Sequence, residues 1–312
     1  MIKRLVVKGL HGKFDFDLVF NEDLNILTGK NGSGKTTILK LLWYLISGNL
    51  HRITSEMRFD KAEIETDNFS LKMSIDRNFE NDEIHLELKP HEESQIRNCP
   101  TKNSDNSNFI EYRSHDIACL SQPSIFFPTF RRIEGGFWAS GPPEGDIIWR
   151  SGMDTLQDAM SDLSTKISTA NHRFVASIST HDLVGLLTQA DLVGRPFTVL
   201  SELVGKILNY SGIRFTENIA LGDATNAIYS EQLSSGEKQM LSFLCHNAFQ
   251  KNSIIFIDEP ELSLHVDWQR LLFPMLLKQG TDNQFIVATH SPFIYSRYPD
   301  KEIILDSDRG GE

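Results

Sequence analysis

The run Gly29-Lys30-Asn31-Gly32-Ser33-Gly34-Lys35-Thr36 has the spacing GxxxxGK[ST], and it stands where an apolar stretch, Leu24 to Thr28, gives way to a helical pattern. Glycines at this spacing let backbone N–H groups turn inward around phosphate oxygens, and the positive end of the following helix adds to the attraction. Asn31, Gly32, Ser33, Gly34, Lys35, Thr36 and Thr37 are therefore the candidate nucleotide-binding residues. Lys35 is predicted to reach the β- and γ-phosphates and Thr36 to offer its hydroxyl to Mg2+, so the implied cofactor is a Mg-nucleotide.

A second constellation lies far along the chain. Ser253-Ile254-Ile255-Phe256-Ile257-Asp258-Glu259-Pro260 is an apolar run ending in two carboxylates, as in a parallel strand buried on both faces whose C-terminal end meets a ligand. Adjacent carboxylates there take different tasks: Asp258 holds Mg2+ through its water shell, and Glu259 polarises the attacking water as general base. Upstream, Ser234 and Glu237 have the three-residue spacing of a capping box, which exposes the N-terminus of a helix and by itself needs no ligand.

Leu233-Ser234-Ser235-Gly236-Glu237-Lys238-Gln239 resembles the signature of ABC ATPases in the form found in the SMC/Rad50-like group. The resemblance implies that ATP is the nucleotide and that Ser234, Ser235 and Gly236 face the γ-phosphate held by the phosphate loop of another protomer. Two chains then enclose two Mg-ATP molecules in a homodimer, or in a higher oligomer built on it, that opens and closes with the nucleotide state. Glu261-Leu262-Ser263-Leu264-His265 resembles the D-loop of this group, although His265 also reads simply as the start of an amphipathic helix. His290, in Ala288-Thr289-His290-Ser291-Pro292, matches the switch histidine that contacts the γ-phosphate, so Glu259 and His290 are the candidate catalytic residues. Gln122 falls between phosphate loop and signature and is the candidate Q-loop glutamine.

Phe126-Phe127-Pro128-Thr129-Phe130-Arg131-Arg132-Ile133-Glu134 resembles a segment of defence-associated bacterial ATPases, including the ATPase subunits of Septu and retron systems. Arg131 and Arg132 suit phosphate, of nucleotide or nucleic acid, and equally suit pairing with acids such as Glu134. The resemblance implies a slow, regulatory ATPase that restrains or positions a partner effector nuclease of HNH type in antiphage defence, with nucleic acid engaged directly or through that partner. The alternative is a DNA-repair ATPase of RecF/Rad50 type that clamps DNA. Against Rad50 itself, the interval between phosphate loop and signature lacks long heptad arms. Energising a transporter is disfavoured by Glu261, where Ser or Thr is usual.

These motifs need a scaffold. Ile2 to Gly9 and Lys13 to Phe20 read as strands around a Gly12 turn, Lys35 to Ile46 as a helix, and Lys61 to Leu88 as antiparallel strands. Residues 90–108 are polar and read as a mobile surface loop, and 150–230 as an inserted helical lobe with three- and four-residue apolar spacing. The expected fold is α/β: a P-loop NTPase, an ABC ATPase head with a largely parallel central sheet, an antiparallel side sheet and that lobe. One discontinuous core would comprise 1–90 and 230–312. The 312 residues carry a net charge of −11, which argues against indiscriminate nucleic-acid binding by the isolated chain. Cys99, Cys119 and Cys245 lack metal or disulfide spacing. No signal-peptide pattern or membrane-length apolar run is present, so the compartment reads as cytoplasm.

Overall fold

The computed structural model describes residues 1–47, 52–53, 56–77, 82–91, 122–127, 132–135, 150–151, 234–249 and 251–305. The lobe expected at 150–230 and the loop expected at 90–108 lie almost wholly outside them.

Two sheets carry the described residues. The central one has the order β12-β3-β11-β10-β7-β8-β9, formed by Glu302–Ile304, Leu24–Thr28, Gln284–Ala288, Ile254–Asp258, Ser124–Phe127, Arg132–Gly135 and Arg150–Ser151. Neighbours from β12 to β7 run parallel, and the last two strands join antiparallel. The side sheet is antiparallel, β2-β1-β4-β5-β6, from Phe14–Val19, Ile2–Leu10, Lys61–Thr66, Phe69–Arg77 and Asp82–Pro90. Four α-helices are described: α1 (Lys35–Ser47), α2 (Ser235–Phe249), α3 (Val266–Lys278) and the short α4 (Pro292–Tyr295).

The near-continuous apolar character of β3, β10 and β11 follows from burial on both faces. Along β10, Ile254 and Phe256 join α1 and the side sheet in one core, while Ile255 and Ile257 join α2 and α3 in the other. Gln284 ties the two sheets together: its Oε1 accepts from the Ile2 N–H at 2.8 Å, and its Nε2 donates to the Ile2 and Asn21 carbonyls at 2.8 and 2.7 Å. Because β3, β11 and β10 are parallel, their C-terminal ends share one edge, and the phosphate loop, His290 and Asp258-Glu259 all emerge there. That edge is the nucleotide edge of a P-loop NTPase.

Among the described residues no helix is long and apolar enough to cross a membrane.

Candidate functional site

The phosphate loop leaves β3 through Gly29 (φ 138°) and turns through Gly32 (φ 78°) and Gly34 (φ 94°). At Gly29 a Cβ would crowd the Leu305 carbonyl oxygen at 2.7 Å, so only glycine fits, whereas the space over Gly32 is open. Asn31 and Gly32 are exposed, Thr37 is half-buried on the first turn of α1, and Ser33 is buried with its Oγ lacking a hydrogen-bond partner. Lys35 folds back on the loop, its Nζ donating to the Gly29 and Lys30 carbonyls at 3.1 Å each. Burial holds its amino group below the ordinary lysine value, against the opposing pull of Glu259, Asp258 and Glu261.

The two distant motifs meet at one contact. Thr36 Oγ1 donates to the Asp258 carboxylate, at 3.0 Å from Oδ1 and 3.2 Å from Oδ2, although 222 residues separate them. A hydroxyl beside a buried carboxylate, next to a glycine loop with an unpartnered buried hydroxyl, is a donor set that fits Mg2+ and a polyphosphate. Glu259 follows with φ 48°, a left-handed backbone that costs a non-glycine residue about 1 kcal/mol or more, and its N–H donates to the Ala288 carbonyl at 2.8 Å. His290 is exposed at the end of β11 on the same edge.

The capping box forms in both directions: the Ser234 N–H donates to Glu237 Oε2 at 2.7 Å, and the Glu237 N–H donates to Ser234 Oγ at 3.3 Å. Ser234 is exposed, while Gly236 is pressed against the turn after β10, where a Cβ would overlap the Ser263 carbonyl oxygen. Gln239 Nε2 reaches the Pro260 carbonyl of the same turn at 3.4 Å. The side chain of Ser235, with Arg131 and the side chain of Arg132, falls outside the described residues. His265 caps α3, its Nδ1 accepting from the Asp267 N–H at 3.4 Å, which is the helix-start reading of that residue.

The expectation for Gln122 is corrected. Gln122 precedes β7, and Ser124 and Phe127 pair with Ile254 and Ile257, so Gln122 lies at the end of the sheet away from Asp258. Its N–H donates to the Ile46 carbonyl at the far end of α1, about 17 Å along the helix from Lys35. Order along the chain sets Gln122 between the right motifs, but a Q-loop residue must follow its strand.

Glu261 stands out in the sequence only as a departure from transporter usage. In the fold its carboxylate accepts from Thr289 Oγ1 and from the His290 N–H, each at 2.7 Å. The one signal of this role is its place two residues after Glu259, at the end of a strand that must neighbour the His290 strand.

The family model described as AAA ATPase domain matches residues 1–126, and the one described as AAA domain, putative AbiEii toxin, Type IV TA system, matches residues 203–296. The phosphate loop falls in the first segment, and the signature, Asp258-Glu259 and His290 fall in the second. The chain is an ATPase that matches AAA-type domains in two segments. This ATPase is 24% identical to the Septu protein PtuA of Bacillus thuringiensis across 99% of its own length and 77% of that protein. It is also 38% identical over 74 residues to the retron Ec83 probable ATPase of Escherichia coli, a match that covers 20% of this ATPase and only 14% of that one. An SMC head domain from Thermotoga maritima aligns over 95% of this ATPase and 91% of that chain at 12% identity, with a TM-score of 0.48. The fold assignment rests on strand order and motif placement rather than on that alignment.

Proposed function

We propose that this ATPase is the regulatory subunit of an antiphage system: a homodimer that closes around two Mg-ATP molecules and thereby restrains or positions an effector nuclease. The carrying observation is the Thr36–Asp258 contact, where the phosphate loop meets Asp258 and its neighbour Glu259 on one sheet edge. The full-length similarity to a Septu protein supports the defence role.

Lys35 exchanges the Gly29 and Lys30 carbonyls for the β- and γ-phosphates. Thr36 and Asp258 would hold Mg2+, which would supply positive charge against that of the phosphates. Glu259 accepts the proton of the attacking water, and His290 donates to the γ-phosphate. The start of α2, with Ser234 exposed and Gly236 beside it, would face the γ-phosphate on a second copy of the chain. ATP thus joins two surfaces and hydrolysis releases them. A switch of this kind works through long-lived states, so the expected turnover is slow.

Two experiments test this. Light scattering of purified Glu259→Gln with Mg-ATP is expected to give a persistent dimer, and Lys35→Ala a monomer under the same conditions. Equal dimerisation of the two variants would sink the ATP-sandwich mechanism. Affinity purification of Glu259→Gln from its native cells, with and without phage, is expected to recover a nuclease in stoichiometric amount. Recovery of DNA with repair proteins and no nuclease would instead favour a DNA-clamping ATPase of RecF/Rad50 type.

A further inference from the structure

Two turns leave the nucleotide edge side by side: 259–265 after β10, and 289–291 after β11. Glu261 spans them, with Oε1 on the His290 N–H and Oε2 on Thr289 Oγ1, both at 2.7 Å. Thr289 is fully buried, and its hydroxyl oxygen also accepts from the Ser291 N–H at 3.0 Å. A second brace runs parallel: Ser291 Oγ donates to Gln269 Oε1 at 2.6 Å, and Gln269 Nε2 donates to the Leu264 carbonyl at 2.9 Å. Both oxygens of the Glu261 carboxylate are thus committed to the backbone and hydroxyl of the turn that carries His290. Hydrogen bonds to a charged acceptor are shorter and stronger than neutral ones.

We propose that Glu261 is a positioning residue of the hydrolytic site: its carboxylate holds the switch turn to the turn bearing Glu259, so that His290 stands at a fixed place relative to the base. The proposal rests on the reading of Glu259 and His290 as the hydrolytic pair. The geometry explains why a long carboxylate follows Pro260. Aspartate is one methylene too short to reach both partners. Glutamine keeps an oxygen for the His290 N–H and turns its amide donor toward Thr289 Oγ1, which then accepts from residue 261 instead of donating to it. The same turn carries Ser263, whose carbonyl meets Gly236, so the clamp also links the hydrolytic edge to the signature helix of its own chain.

The test is steady-state ATPase kinetics on the full chain, with Lys35→Ala as the control for nucleotide-dependent turnover. Loss of the clamp lets the switch turn shift by about 1 Å, a displacement worth on the order of 100-fold in rate at a reacting centre. Glu261→Ala is expected to lower kcat by about 10- to 100-fold while KM for ATP stays within about threefold. Glu261→Gln is expected to restore kcat to within about threefold of the wild type, whereas Glu261→Asp does not. Combined with His290→Ala, Glu261→Ala should slow the enzyme no further than His290→Ala alone, because both act through one group. Thr289→Val, which removes one arm of the clamp and preserves volume, gives a smaller loss and serves if Glu261→Ala fails to fold. The proposal is overturned if Glu261→Ala keeps kcat within twofold, or if its loss multiplies with that of His290→Ala. A rate that survives Lys35→Ala overturns the hydrolytic reading itself, a result distinct from silence at Glu261 alone.

Discussion

Gly236 lies in the signature, where the resemblance assigns it to phosphate, yet the structure gives it a separate role that shows without nucleotide. In Gly236→Ala the new Cβ would overlap the Ser263 carbonyl oxygen, with the Ser263 carbonyl carbon at 3.3 Å and the Leu264 Cα at 3.6 Å. All three are backbone atoms, so no rotamer relieves the clash, and α2 or the 259–265 turn must retreat by about 1 Å. Overpacking of this kind costs about 1–3 kcal/mol, and the helix-propensity gain of alanine over glycine, at most about 1 kcal/mol, is diluted in a first turn. A net loss of about 1–2 kcal/mol is expected in the nucleotide-free protein. Urea unfolding followed by tryptophan fluorescence measures it, since Trp43 and Trp268 are buried on opposite faces of the central sheet. The midpoint should fall with the slope unchanged. A midpoint equal to or above that of the wild type would refute the packing argument and leave phosphate contact as the only reason for glycine.

Gln284→Ala strips hydrogen-bond partners from the Ile2 N–H and from the Ile2 and Asn21 carbonyls, and is expected to lower unfolding free energy by about 2–4 kcal/mol; a loss below about 1 kcal/mol in denaturant titration would mean that water repairs the seam. His246, buried edge-on against Phe127 with Nε2 unpartnered, is pushed down to about 4 by burial. Above the ordinary histidine value of 6.5 neither state binds the proton; as pH falls from there toward about 4 only the unfolded chain does, so stability falls by up to about 1.4 kcal/mol per pH unit. In His246→Phe that part of the slope should vanish, and its persistence in unfolding titrations would assign it to other groups.

Much of this arrangement is legible in the sequence because two-sided burial leaves a plain mark. β3, β10 and β11 read as apolar runs, and each ends in its motif, so pattern alone sets the phosphate loop, Asp258-Glu259 and His290 at strand ends. The capping box of Ser234 and Glu237 is local, and local chemistry is what spacing encodes. Gln122 is misplaced by sequence order because order along a chain does not say which end of a strand a residue occupies; that depends on direction within the sheet. The Glu261 clamp is hidden for a related reason: its partners lie 28 and 29 residues away and come within reach only through the parallel register of β10 with β11. The burial of His246 likewise depends on how α2 sits against Phe127, since α2 has only a weakly amphipathic pattern to indicate its inner face.

The position of β3 between β11 and β12 bears on how the protein is made. Asn25 and Phe285, joined by a hydrogen bond at that seam, are 260 residues apart. The side sheet, from residues 2–90, can pair as soon as its strands leave the ribosome, but β3 has no neighbour in the central sheet until its two C-terminal partners arrive. At about 5–20 residues per second, that is a wait of roughly 13–50 seconds during synthesis. Through that interval the phosphate loop is tethered at its helix and unsupported at its strand, so a nascent chain cannot hold nucleotide in the finished geometry. Closing this long-range pairing is entropically slow, which leaves the apolar edge of β3 exposed to chaperones in the meantime. Nucleotide binding thereby becomes a report that translation has reached β12.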